Sequence, residues 1–250
     1  MIIGIVTAFA LLIMAFKGPQ ADLLIMHGEK HVKKEVKDKT RRDNILSEYK
    51  NIKQLKKNYT KANKVSTKQL AALISDYGTD RNTFDDFFEK LEEEERKINE
   101  QFFTHRINIQ QGFEQAEWDK VMDDIRKAVS KDEKASEKIF AAFDKHMAKM
   151  KASVSSAFDD SADKKKAEAA VDKFIASARK AGKAIVESSP EEKAVLQKRE
   201  ATRAELEEIG DRVIGDWKEL LHAFADLNGE LNEIATEEQW KSIAKALKKL

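Results

Sequence analysis

Residues Leu206 to Leu231 read LEEIGDRVIGDWKELLHAFADLNGEL. Within them Leu206, Gly210, Val213, Trp217, Leu220, Phe224, Leu227 and Leu231 follow one another in steps of four and three. That spacing stacks side chains along one face of a helix. Moved back by 122 residues, the same register returns as Phe84, Phe88, Leu91, Glu95, Ile98, Phe102, His105 and Ile109. The shift also carries Trp240 onto Trp118, Ile243 onto Val121 and Leu247 onto Ile125. Mismatches fall at Phe88/Gly210, His105/Leu227 and Phe113/Ala235. The pattern predicts two copies of one helical hairpin.

Composition points the same way. Of 250 residues, 36% are charged and 41% hydrophobic, with two prolines and nine glycines. Ala, Glu, Lys and Leu at a helical period describe long helices packed side by side, and period-two strand alternation is scarce. The fold class expected is all-α: elongated hairpins or a bundle with coiled-coil-like packing. Forty-six basic residues stand against forty-five acidic ones, a balance that speaks against a nucleic-acid partner. The one local basic excess covers residues 30–68. Absence of cysteine excludes disulfides, thiolate zinc sites and cysteine nucleophiles, and leaves the compartment open.

Met1 to Phe16 (MIIGIVTAFALLIMAF) carry no charged side chain. As a helix they measure about 24 Å, short of a hydrocarbon core of roughly 30 Å. Lys17 can snorkel, and Leu23 to Met26 can lie at the interface beyond Gly18-Pro19. The alternative is a cleaved signal peptide, but no Lys or Arg precedes the apolar run and no small-x-small site follows. Residues 1–17 are therefore expected to be a single-pass membrane anchor. A polar helical stalk over 18–66 follows, then hairpin copy one over 67–130, middle helices over 131–188 and copy two over 189–250.

Local signals set the expected boundaries. Ser66-Thr67-Lys68-Gln69 and Ser130-Lys131-Asp132-Glu133 both have capping-box form and predict helix starts. Tyr77-Gly78-Thr79-Asp80 ends one helix and caps the next, and another stop falls near Gly112. Ser153 to Asp163, rich in Ser and Asp, reads as a loosely held connection. Ser189-Pro190-Glu191-Glu192 puts the cap, the N1 proline and the N3 acid in their favoured places. Asn228-Gly229 predicts a stop, and Thr236 to Gln239 caps the last helix.

Few residues suggest chemistry. His27 and His31, four apart, could share a metal ion on one helix face, but no third ligand is implied and a surface pair is favoured. Glu95 and His105 interrupt the first seam, yet ten helical residues separate them by about 15 Å, too far for an acid–base pair. His146, Met147 and Met150 offer soft ligands, but the methionines continue an apolar face. No phosphate-binding loop, dinucleotide glycine pattern, nucleophile elbow or HExxH sequence occurs. A non-catalytic chain without cofactors is expected. Phe84, Phe88, Phe102, Trp118, Trp217 and Trp240 are the aromatic positions proposed to meet a partner, with ordinary core packing as the alternative for each.

Ala235-Thr236-Glu237-Glu238-Gln239, followed by an amphipathic helix, resembles the L-T-x-x-Q motif of small periplasmic stress chaperones and metal-responsive helical proteins. Ala235 stands where that motif has Leu, and the first copy, Phe113 to Glu117, lacks its Thr and Gln. The resemblance implies an envelope location and binding of a protein client, and it transfers no site residue. The expected function is a membrane-anchored scaffold, adaptor or chaperone-like module that binds through apolar helix faces, with a homo-oligomer open. An envelope metal or stress sensor and a membrane-inserting, pore-forming protein are the alternatives. The basic cluster from Lys30 to Arg42 votes for the cytoplasm, the motif for the extracytoplasmic side, which is slightly favoured.

Overall fold

A computed structural model describes residues 28–159, 162–186 and 188–248, and among them the regular structure is all-α. A helical segment over 28–35 precedes α1 (Lys39–Ser75), α2 (Arg81–Gly112), α3 (Gln115–Ser155) and α4 (Ala162–Val186). Then come α5 (Pro190–Gln197), α6 (Arg203–Ile234) and α7 (Glu237–Leu247). Among the described residues no helix is long and apolar enough to cross a membrane. The anchor expected over 1–17 lies outside them.

Several helix ends fall where the capping chemistry places them. Asp80 accepts from Thr83 N at 2.8 Å to open α2. Gly78 just before it has φ +86°, a backbone that a side chain would strain. Ser189, Pro190 and Glu192 open α5 with a capping box; Thr202 with Glu205 and Thr236 with Gln239 do the same for α6 and α7.

Three expected boundaries are overruled. Ser66 lies inside α1, its hydroxyl bonded back to Ala62 O at 3.3 Å. Ser130 to Glu133 lie inside α3, which runs unbroken from Trp118 and Ile125 in one core to Phe143 and Val154 in another. Asn228-Gly229 lie inside α6, with Asn228 fully buried. In each case apolar residues on both sides are held by packing, which outweighs a cap worth about 1 kcal/mol. The 153–163 connection is also firmer than expected at its start, because Val154 and Phe158 are buried.

Helix bounds repeat across the chain. Moved by 122 residues, Arg81–Gly112 becomes Arg203–Ile234, and the α3 start at Gln115 becomes the α7 start at Glu237. Helix α1 falls on α4 and α5 together, continuous in the first half and interrupted before Pro190 in the second. The cores repeat too. One contains Val32, Ile52, Ile109, Trp118 and Val121 among its eleven buried residues. The equivalent of every member lies in the second, larger core, these five as Val154, Phe174, Leu231, Trp240 and Ile243.

Helices α2 and α6 pack antiparallel between the cores. Arg81 meets Asp226 at one end and Arg203 Nη1 donates to Thr104 Oγ1 at 3.1 Å at the other. Arg96 to Asp211 and Lys218 to Glu92 lie between. The 122-residue shift turns the Arg81–Asp226 pair into Arg203–Thr104, so the two helices are related by an approximate two-fold. Gly210, which breaks the seam, admits the Phe103 ring: a Cβ there would lie 2.8 Å from it.

The two halves clasp each other reciprocally. Trp118 Nε1 donates to Gln197 O (2.8 Å), the last carbonyl of α5, and Trp240 Nε1 donates to Ile74 O (3.1 Å) at the end of α1. Tyr77 Oη donates to Ala235 O at 2.9 Å, and its positional equivalent Arg199 donates from Nε to Phe113 O at 2.8 Å. These donors occupy helix-terminal carbonyls that have no intrahelical partner.

Two outcomes are expected. Trp118→Phe and Trp240→Phe each strand a carbonyl and should cost about 1–3 kcal/mol in urea unfolding. A loss from only one of them would show that the clasp is one-sided. Backbone bonding from Thr202, then Lys198 and the Thr202 hydroxyl, hold Glu205 down to about 2. A carboxyl depressed on folding stabilises above its unfolded value of about 4.3, and that contribution is lost as pH falls toward the folded value. Glu205→Gln should flatten this part of the acid limb; an unchanged pH slope would remove Glu205 from it.

Candidate functional site

The aromatic positions proposed for a partner lie within the protein. Phe84, Phe88 and Trp240 are buried in the larger core, with Trp217 half-buried against it. Trp118 is buried in the smaller core, with Phe102 half-buried against it. The most exposed large apolar side chains described are Val65 (57%) and Tyr77 (42%). Two isolated residues on different elements do not make an apolar groove.

The histidines are placed apart. His31 Nε2 lies 2.9 Å from Asp124 on α3, His105 Nδ1 lies 2.6 Å from Glu48 on α1, and His222 Nδ1 lies 3.0 Å from Asp85 on α2. His222 Nδ1 is also 3.1 Å from Arg81. With a proton it donates to Asp85; without one it accepts from Arg81. His27, the other half of the expected pair, lies outside the described residues. Among the described residues no three His, Cys, Asp or Glu side chains gather as a metal site. Glu95 stands beside Tyr59, whose phenol is pushed up by burial and by that carboxylate. Thr236 and Gln239, the polar residues of the quoted motif, exchange capping bonds of 2.8 and 3.3 Å.

The first half contains polar groups that the second lacks. Arg106 is 3% exposed, donates from Nη2 to Leu196 O at 2.8 Å, and stacks over Trp118 at 4.5 Å from the ring centre. Burial pulls its guanidinium down to about 10, with Tyr49 acting in the other direction. The Trp118 face and the negative end of α5 offset part of the desolvation. Gln110 Nε2 donates to Ala201 O at 2.6 Å, so Arg106, Gln110 and Trp118 together hold the stretch from Leu196 to Ala201. Asn228 and Asn232 are their shorter equivalents in the second half.

An open cleft of about 420 Å³ lies where α1 begins and α2 ends. Asp38, Thr40, Arg41, Asn44, Glu48, Asn108 and Gln111 supply its polar lining. Arg41 is taken up by Glu117 through two bonds of 2.8 and 3.0 Å, and Glu48 by His105 and Asn108. The Glu48–His105 pair can orient an imidazole as a proton acceptor.

A feature that sequence reading registered only as a basic excess is the outer face of α1. Lys50, Lys53, Lys57, Lys61, Lys64 and Lys68 are all exposed. At 100° per residue they fall within an arc of about 80° and extend about 27 Å along the helix. No acidic residue lies on α1 between Glu48 and Ser75. Of the six, only Lys53 has an ion-pair partner among the described residues, Glu29. Five of them fall within the helix already expected over 18–66, and the continuation of α1 through Ser66 adds Lys68 to the same line.

The chain matches no protein-family model, no curated protein and no solved structure. Its own geometry must carry the functional reading. Like charges three and four apart destabilise a helix by about 0.2–0.5 kcal/mol per pair. Lys57→Gln with Lys61→Gln is therefore expected to raise the low-salt melting temperature slightly, with the gain shrinking in high salt. A fall in melting temperature would show that these lysines make stabilising contacts in the fold.

Proposed function

We propose that this protein is a membrane-tethered, non-catalytic helical scaffold that binds a protein partner. The observation that carries the reading is the reciprocal clasp. It fixes two equivalent helix–turn–helix tips, around Gln115 and Glu238, at opposite ends of the antiparallel α2–α6 pair. A frame about 48 Å long with equivalent ends suits a spacer or a two-ended adaptor. The three described interhelical histidines serve as braces, and the large aromatics serve as core, which leaves the polar tips and the charged helix faces for recognition. Tethering rests on the uncharged stretch from Met1 to Phe16.

Photo-crosslinking side chains at exposed Gln115 and Glu238, with exposed Glu94 as a mid-helix control, test the binding role in cells. Discrete protein adducts are expected at the tips and not at the control. Adducts at neither tip would overturn the adaptor reading. Alkaline extraction of membranes tests the tether separately: the full chain should stay with the membrane, and a freely extracted chain would remove it.

A further inference from the structure

We propose that the lysine face of α1 is a docking surface for an anionic lipid bilayer. The inference deepens the membrane-tethered reading and rests on it for the choice of lipid over other polyanions. Its starting point is an internal control. The positions equivalent to Lys50, Lys53, Lys57, Lys61, Lys64 and Lys68 are Asp172, Ile175, Arg179, Lys183, Val186 and Pro190. The second half therefore builds its corresponding helices with mixed charge, apolar residues and a proline. Four of the six equivalents are not cations, so the shared frame does not require the full row, and in α1 the lysines repel one another along the whole ridge.

The form of the ridge fits a flat, laterally mobile anionic surface. It is unbroken because α1 is continuous from Lys39 to Ser75, and it is convex because it is the outer face of a helix. All six groups are lysines. An ammonium is a compact, flexible point charge suited to diffuse attraction, whereas the arginine fork reads phosphates and bases bidentately. Tyr59, the aromatic residue within the span, is half-buried beside Glu95 and does not form a stacking platform for bases.

Connectivity supplies the remaining argument. Gly28 packs against the Tyr49 hydroxyl, and Glu29 pairs with Lys53. The chain arriving from the apolar N-terminal stretch thus joins the fold beside the lysine ridge. An apolar segment and a polybasic face in one chain are the two signals that together give stable membrane attachment. Docked this way, α1 lies along the bilayer and the hairpin tips point along its surface.

The test uses the full chain, made by cell-free synthesis with vesicles of phosphatidylcholine alone or mixed with phosphatidylserine. Since the chain has no cysteine, Gln54→Cys beside the ridge accepts a single fluorophore, read against headgroup-level quencher lipids. The chain should float with both vesicles, and the label should be quenched only on the anionic ones, less in high salt. Lys57→Gln, Lys61→Gln, Lys64→Gln and Lys68→Gln together should abolish quenching, at about fivefold in affinity per lysine, with helicity retained by circular dichroism. Flotation with both vesicles and no quenching on either overturns the docking surface and leaves the tether intact. Flotation with anionic vesicles alone, lost in the variant, supports the ridge and removes the tether. Flotation with neither overturns both. Lysine-dependent capture of duplex DNA without lipid-dependent quenching overturns the lipid assignment.

Discussion

The fold depends on two indole N–H groups that reach out of their own half of the chain. Trp118 and Trp240 each cap the end of a helix in the other half, at Gln197 O and Ile74 O. A buried carbonyl at a helix end must find a donor, and a buried indole N–H must find an acceptor. Each need is met only when the two halves come together. The ladder along α2 and α6, from Arg81–Asp226 to Thr104–Arg203, then follows from that register.

Equivalence of the halves makes their differences informative. The smaller core encloses Arg106, Tyr49 and Gln110, where the larger one has Asn228, Val171 and Asn232. A buried guanidinium is costly, and here it is set over Trp118 and against the carbonyl end of α5. Arg41, Glu48 and Asn108 likewise surround a cleft whose second-half equivalents are Asp163, Ala170 and Glu230. The repeated seam maintains the frame, while the polar specialisation lies in the first half and on the outer face of α1.

Much of the helical organisation could be read from periodicity and capping chemistry. Starts at Arg81, Pro190 and Glu237 are local events, because a side-chain oxygen and a backbone N–H three residues on are enough to specify them. Ser66, Ser130 and Asn228-Gly229 carry similar local signals and were overruled by burial on both sides. The lysine face needed no such correction from Lys50 to Lys64, which share the helix expected over 18–66; the unbroken α1 adds Lys68. Aromatic seam positions could not be assigned to core or surface from spacing alone, since both uses share a period.

By itself the sequence determined the helical class, the seam from Leu206 to Leu231 with its echo 122 residues earlier, and the caps that open α2, α5 and α7. All are set by contacts within a few residues or by composition. Only the tertiary structure decided that Trp118 and Trp240 cap helices of the opposite half, that His105 meets Glu48, and that Arg106 is enclosed. Those outcomes join residues tens to more than a hundred positions apart. Their partners are chosen by which buried donors and acceptors remain unsatisfied once the helices pack, a condition that no local window of sequence contains.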